Sequence, residues 1–156
     1  MITFNADEIF EMAVQIEHNG AAFYRKAASF LPAARTILDK LAVMEDDHER
    51  TFSAMRSALT DQERTPLTAD PDNQAAQYLK AMADARVFTA DPKDVLSGKE
   101  TLREVLLLAI SKEKDSIVFY QSMKEVVPRS AGTGRIDDII RQEIGHILQL
   151  TKEMPR

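Results

Sequence analysis

The sequence predicts an all-α protein, a four-helix bundle with one long crossover that carries a short extra helix. Three observations predict it. Long stretches of the 156-residue chain keep apolar residues at helical spacing, with few of its 5 Gly and 6 Pro inside them. The breaks between these stretches are short, except for one of nearly forty residues. The second half of the chain repeats the residue pattern of the first at the same offsets.

The first helix opens at Asn5, a capping side chain with Glu8 three residues on, which completes a capping box. Ile9, Ala13, Ile16, Phe23, Ala27 and Phe30 then hold a helical period to Leu31. Pro32 suits the first turn of a new helix, so the second is expected from Pro32 to Leu59, with Leu38, Leu41, Phe52 and Met55 inward. Residues 60 to 98 contain two Asp-Pro pairs, but also a helical stretch from Asn73 to Phe88. Ser97 with Glu100 forms a second capping box, which places the start of the third long helix there and its end near Val127. Pro128 and the Gly132-Thr133-Gly134 stretch make the last turn, and the fourth helix runs to Glu153. The whole of 1–156 reads as a single domain, long enough to bury a continuous core.

Around Glu17, Ala13 lies four residues before, Phe23 and Tyr24 six and seven after, and Pro32 fifteen after; around Glu113, Ala109, Phe119, Tyr120 and Pro128 repeat every offset. The following helices agree, because Glu45-Asp-Asp-His48 and Glu143-Ile-Gly-His146 both place a His three residues after a Glu. The chain is therefore two copies of one helical hairpin. Glu17 lies roughly 21 Å of helix before its turn and Glu45 roughly 20 Å after it, at about 1.5 Å per residue. Antiparallel packing brings all four glutamates to one level in mid-bundle.

Composition excludes several functions. The charge of -5 is spread over mixed acids and bases without a basic block, which argues against nucleic acid or an anionic membrane as partner. The acidic N-terminal segment is unlike a signal peptide, and no stretch reaches membrane-spanning length, so a cytoplasmic location is expected. Without cysteine there is no disulfide, thiolate catalysis or cysteine-held iron. Any metal must sit on histidine and carboxylate.

Residues three apart on a helix share a face, so each Glu-x-x-His presents a carboxylate and an imidazole to one inward point. With one more glutamate from each of the other helices, the candidate metal ligands are Glu17, Glu45, His48, Glu113, Glu143 and His146. Four buried carboxylates repel one another, and two divalent cations neutralise them. Oxygen and imidazole donors suit iron or manganese better than calcium or magnesium. Tyr24 and Tyr120 are candidates to donate hydrogen bonds to the ligating carboxylates, with core aromatics whose hydroxyls are satisfied elsewhere as the equal alternative. His18 points about 100° away from Glu17 around the helix and has no counterpart in the repeat, so it is set aside. Of Glu45, Asp46, Asp47 and Glu49, one is expected inside and three at the surface.

These residues resemble the ferritin-like superfamily and, within it, the rubrerythrin-like proteins, over essentially the whole chain. The resemblance rests on Glu17 with Tyr24, Glu45-Asp-Asp-His48, Glu113 with Tyr120, and Glu143-Ile-Gly-His146. It implies a di-iron site with Glu45 and Glu143 bridging, Glu17 and Glu113 terminal, and His48 and His146 each on one iron. The implied activity is a redox enzyme's: oxidation of ferrous iron with oxygen, or reduction of oxygen or hydrogen peroxide. A non-enzymatic iron-binding or sensor protein using the same ligands is the alternative. Full-length rubrerythrins also carry a four-cysteine iron centre, which this chain cannot form, so electrons are expected from a separate donor protein or from ferrous iron itself. Rubrerythrins tend to have a further Glu three residues after the third-helix ligand; this chain has Ser116 there, so its ligand set resembles that of bacterioferritin instead. The chain stops at Arg156 without the fifth helix of ferritin cages, and the expected assembly is a homodimer.

Overall fold

The computed structural model describes residues 2–69, 72–85 and 91–155. Its long helices are α1 (Ala6–Phe30), α2 (Arg35–Ser57), α5 (Leu102–Val126) and α6 (Thr133–Lys152), and its crossover carries α3 (Gln74–Ala85) and a single turn, α4 (Pro92–Val95). The expected bundle with one long crossover is the fold observed. No described helix is long and apolar enough to cross a membrane.

Asn5 caps α1 as its spacing predicts: its side chain accepts from the Glu8 N–H at 2.8 Å, and the Glu8 carboxylate accepts from the Asn5 N–H at 3.0 Å. Pro32 departs from expectation. It opens a 3₁₀ turn, Pro32–Ala34, and α2 begins only at Arg35, because Leu31 leaves the helical region at φ -118°, ψ 74° and the chain needs a tight turn to reverse. The C-terminal end of α2 is also shorter than expected, stopping at Ser57. At the other hairpin, Gly132 takes φ +91°, a left-handed conformation that glycine adopts without Cβ strain.

Two features of the crossover differ from the sequence reading. Ile2–Phe4 (β1) pairs antiparallel with Leu67–Ala69 (β2), with Thr3 opposite Thr68, so a short ribbon ties the N-terminus to the start of the crossover. Only half of the expected Ser97–Glu100 box forms, with the Glu100 carboxylate accepting from the Ser97 N–H while the Ser97 hydroxyl accepts from the Lys99 N–H, and α5 starts later, at a second box in which Thr101 and Glu104 satisfy each other's backbone N–H groups. The nearer box, with helical φ and ψ following it directly, wins. Thr101→Ala should therefore lower stability by about 1 kcal/mol, with Ser97→Ala costing less, as denaturant midpoints would show. Of the expected 73–88 helix, 86–88 lie outside the described residues.

The apolar core is two clusters. One gathers Ile9, Phe10, Phe52, Phe119, Met123, Ile136 and Ile139; the other Phe23, Leu38, Leu41, Val105, Leu106 and Leu150. On every long helix the boundary between them falls at the same place, residues 17, 45–48, 113–116 and 143–146. Phe30, expected inward, is only half-buried at the end of its helix. A polar layer thus crosses the middle of the bundle, sealed above and below by hydrocarbon.

Candidate metal centre

All six candidate ligands fall in that layer. Glu17, Glu45, His48, Glu113, Glu143 and His146 are each buried to at least 96%. One comes from α1, two from α2, one from α5 and two from α6. The helical repeat of three and four residues turns Glu45 with His48, and Glu143 with His146, to the same inward face.

Their donor atoms divide into two overlapping groups. Glu17, Glu45, His48 and Glu143 bring one oxygen or nitrogen each within 4.8 Å of one another, and so do Glu45, Glu113, Glu143 and His146. Glu45 and Glu143 belong to both. Glu143 spans them: its Oε1 lies 3.0 Å from His48 Nδ1 and its Oε2 lies 2.9 Å from His146 Nδ1. His48 Nδ1 is also 3.5 Å from Glu17 Oε2, and His146 Nδ1 is 3.0 Å from Glu45 Oε1 and 3.5 Å from Glu113 Oε1. The two imidazoles face each other, centroids 5.6 Å apart and planes 18° from parallel.

These contacts are close without being hydrogen bonds. Glu17 Oε2, Glu45 Oε1, both oxygens of Glu143 and the Nδ1 atoms of His48 and His146 are buried and find no hydrogen-bond partner among the described residues. Buried polar atoms are normally paired, since an unpaired one carries its full desolvation cost. Six orphaned donors converging on one point fit metal ions that would satisfy them together.

The tyrosines hold the outer side of the layer, but crosswise. Tyr24 on α1 donates to Glu113 Oε1 on α5, and Tyr120 on α5 donates to Glu17 Oε1 on α1, so each serves the glutamate of the opposite hairpin. Burial, and then the facing Glu113 and Glu17 respectively, hold both phenols well above their usual pKa, so they remain donors. A further residue escaped the sequence reading. Gln142 Oε1 lies 3.0 Å from His48 Nε2, which fixes the ring with Nδ1 inward. His146 Nε2 is buried with no hydrogen-bond partner among the described residues, and the residue corresponding to Gln142 in the first hairpin is Met44. His18, by contrast, sits at the surface with Nδ1 3.4 Å from Glu49, and Asp46 and Asp47 pair outside with Arg25 and Arg50.

Without metal the layer is over-supplied with negative charge, because four carboxylates face two imidazoles. Burial, reinforced by the Glu143 charge, raises the Glu17 pKa. Burial with Glu17 and Glu143 raises that of Glu45 well above normal, and burial with Glu113 raises that of Glu143. The histidines move the same way: burial pulls them down, but the facing glutamates outweigh it, to about 11 for His48 and about 12 for His146. Without metal the layer therefore holds protons that a cation would displace.

Four helices converging six carboxylate and imidazole side chains on one buried layer define a ferritin-like carboxylate protein with a candidate binuclear metal site. The rubrerythrin family model matches residues 8–154, and the chain belongs to the rubrerythrin family, whose type is di-iron. Among solved structures it is similar to a candidate ferritin-like diiron-carboxylate protein from Thermotoga maritima, at 24% identity and a TM-score of 0.71, covering 97% of this chain and 95% of that one. That likeness carries the fold. A comparison with curated proteins returns no match.

Proposed function

We propose that the protein is a di-iron oxidoreductase. Glu17 and His48 hold one ion, Glu113 and His146 hold the other, and Glu45 and Glu143 are shared. The observation that carries this reading is the set of orphaned, buried donor atoms in two groups with two members in common. Two iron ions in such a site supply two electrons together, which suits the reduction of oxygen or hydrogen peroxide coupled to ferrous-iron oxidation. Manganese suits the same donors.

The chain's own residues account for the rest. The two apolar clusters exclude water from either side of the layer. Tyr24 and Tyr120 fix the orientation of Glu113 and Glu17 by donating a hydrogen bond to Oε1 of each. Glu45 and Glu113 line a cavity of about 70 Å³ between α1 and α5, large enough to admit a small oxidant to the layer. Peroxide reduction takes up two electrons and two protons and releases two waters; with no cysteine in the chain, the electrons come from ferrous iron or a separate donor.

Metal analysis of protein isolated from iron-replete cells should give two iron ions per chain, and the reduced protein should reoxidise with oxygen within a stopped-flow measurement. Zinc as the sole metal, or reduced protein inert to both oxidants, would refute the proposal. The side chain at position 116 sets the balance between oxidants. Ser116 is neutral and its hydroxyl is bonded back to the Lys112 carbonyl at 3.1 Å, so it offers no anionic ligand. Wild-type protein should react with oxygen in preference to peroxide under single turnover. Ser116→Glu should raise the peroxide rate relative to the oxygen rate, and an unchanged ratio would show that the position does not govern oxidant choice.

A further inference from the structure

The two hairpins repeat each other in sequence, but the structure makes their metal positions unequal. The 70 Å³ cavity between α1 and α5 is lined by Asn19, Gly20, Tyr24, Glu45, Glu113 and Ser116 among others, and by none of Glu17, His48 or Tyr120. Glu143 and His146 do not line it either, so of the carboxylates it meets, Glu45 is common to both positions and Glu113 belongs to one alone. The space exists because the repeat puts small residues at corresponding places, Gly20 three after Glu17 and Ser116 three after Glu113. A Cβ on Gly20 would come within 3.1 Å of Glu45 Oε2.

The second inequality lies in the histidines. His48 has Gln142 on its outer nitrogen, whereas the outer nitrogen of His146 is buried and has no hydrogen-bond partner among the described residues, with Met44 at the place in the repeat that Gln142 occupies. A partner on the outer nitrogen orients a ligating imidazole and raises its basicity, and losing one typically costs about 10- to 100-fold in metal affinity. A surface depression does touch His48, but Gln142 lines it and no site carboxylate does.

Both differences point the same way. Given the two-metal reading above, on which this rests, we infer that the Glu113–His146 position is the exchangeable one and takes up and releases its ion through the α1–α5 cavity, while the Glu17–His48 position is retained. The labile position is thus the one that meets small molecules from solvent.

The test is metal release. Protein loaded with two ferrous ions per chain under argon is mixed with excess phenanthroline, and the coloured complex is followed. Two phases of one ion each are expected. Ser116→Leu, or Asn19→Phe at the mouth of the cavity should the first variant load poorly, slows the fast phase about tenfold, roughly 1.4 kcal/mol on its barrier, and leaves the slow phase within about twofold. Gln142→Leu speeds the slow phase about tenfold and leaves the fast one alone. Release in a single phase, or variants that load two ions and change both phases equally, would overturn the inference while leaving the metal site intact. Failure of wild-type protein to load two ions would overturn the site itself, and this inference with it.

Discussion

Glu143→Ala should lose both metal ions, while His146→Ala loses only one. Glu143 stands in both donor groups, with one oxygen near each imidazole, so deleting its side chain removes a donor from each ion at once. His146 stands in one group only, and the His48 position keeps Glu17, Glu45 and Glu143 without it. Glu45→Ala should behave as Glu143→Ala does. Metal content by elemental analysis, measured after loading with ferrous ion and desalting, distinguishes these outcomes directly. Circular dichroism of the metal-free variants, expected to stay helical because both apolar clusters are untouched, separates ligand loss from unfolding. A Glu143→Ala protein that retains one tightly held ion would mean that the two ions do not share this carboxylate.

The candidate ligands were legible in the sequence because they lie at fixed offsets from residues that shape the helices. Glu17 and Glu113 share a frame of Ala, Phe-Tyr and Pro whose spacing also sets the distance to the turn, and the helical rise then fixes their level. What the sequence did not reveal depends on contacts between helices. The tyrosines pair across hairpins: within one helix Tyr24 lies about two turns beyond Glu17, too far to reach it, and only packing shows that α5 brings Glu113 within reach. Gln142 looks like an ordinary surface polar residue in sequence, and it matters because α2 sets His48 opposite it. The α5 start was misplaced because two capping-box patterns stand four residues apart, and only packing shows that the second, Thr101 with Glu104, makes both of its bonds. The β1–β2 ribbon joins segments more than sixty residues apart, each only three residues long, which leaves no periodicity to read.

Removing the metal should destabilise the protein strongly, and more so as pH rises. Each ion present at about a thousand times its dissociation constant adds about 4 kcal/mol to the folded state. For two ions in a chain of this size that corresponds to a rise in melting temperature of roughly 15–30 °C. The pH dependence follows from the protons held by the metal-free layer. The folded-state pKa values of Glu17, Glu45 and Glu143 are raised from 4.5, and those of His48 and His146 from 6.5 to about 11 and about 12. A group raised on folding stabilises fully below its unfolded pKa and loses that contribution as pH climbs toward the folded value. The carboxylates therefore lose theirs from about pH 4.5 upward and the imidazoles from about pH 6.5 upward, so metal-free protein should melt lower at about pH 8.5 than at about pH 5.5. The surface acids with lowered pKa values, Asp7, Asp46 and Glu100, act in the opposite sense, but their contribution is lost only as pH falls below about 4 and is constant across this window. Metal binding becomes stronger over the same range because fewer protons remain to be displaced. The gap between loaded and metal-free melting temperatures should consequently widen with pH, and calorimetric titration in buffers of different ionisation enthalpy should register protons released as the ions bind. Metal-free protein whose melting temperature climbs from about pH 5.5 to about pH 8.5, or a gap that stays constant, would show that the four glutamates do not share one buried layer with the two histidines.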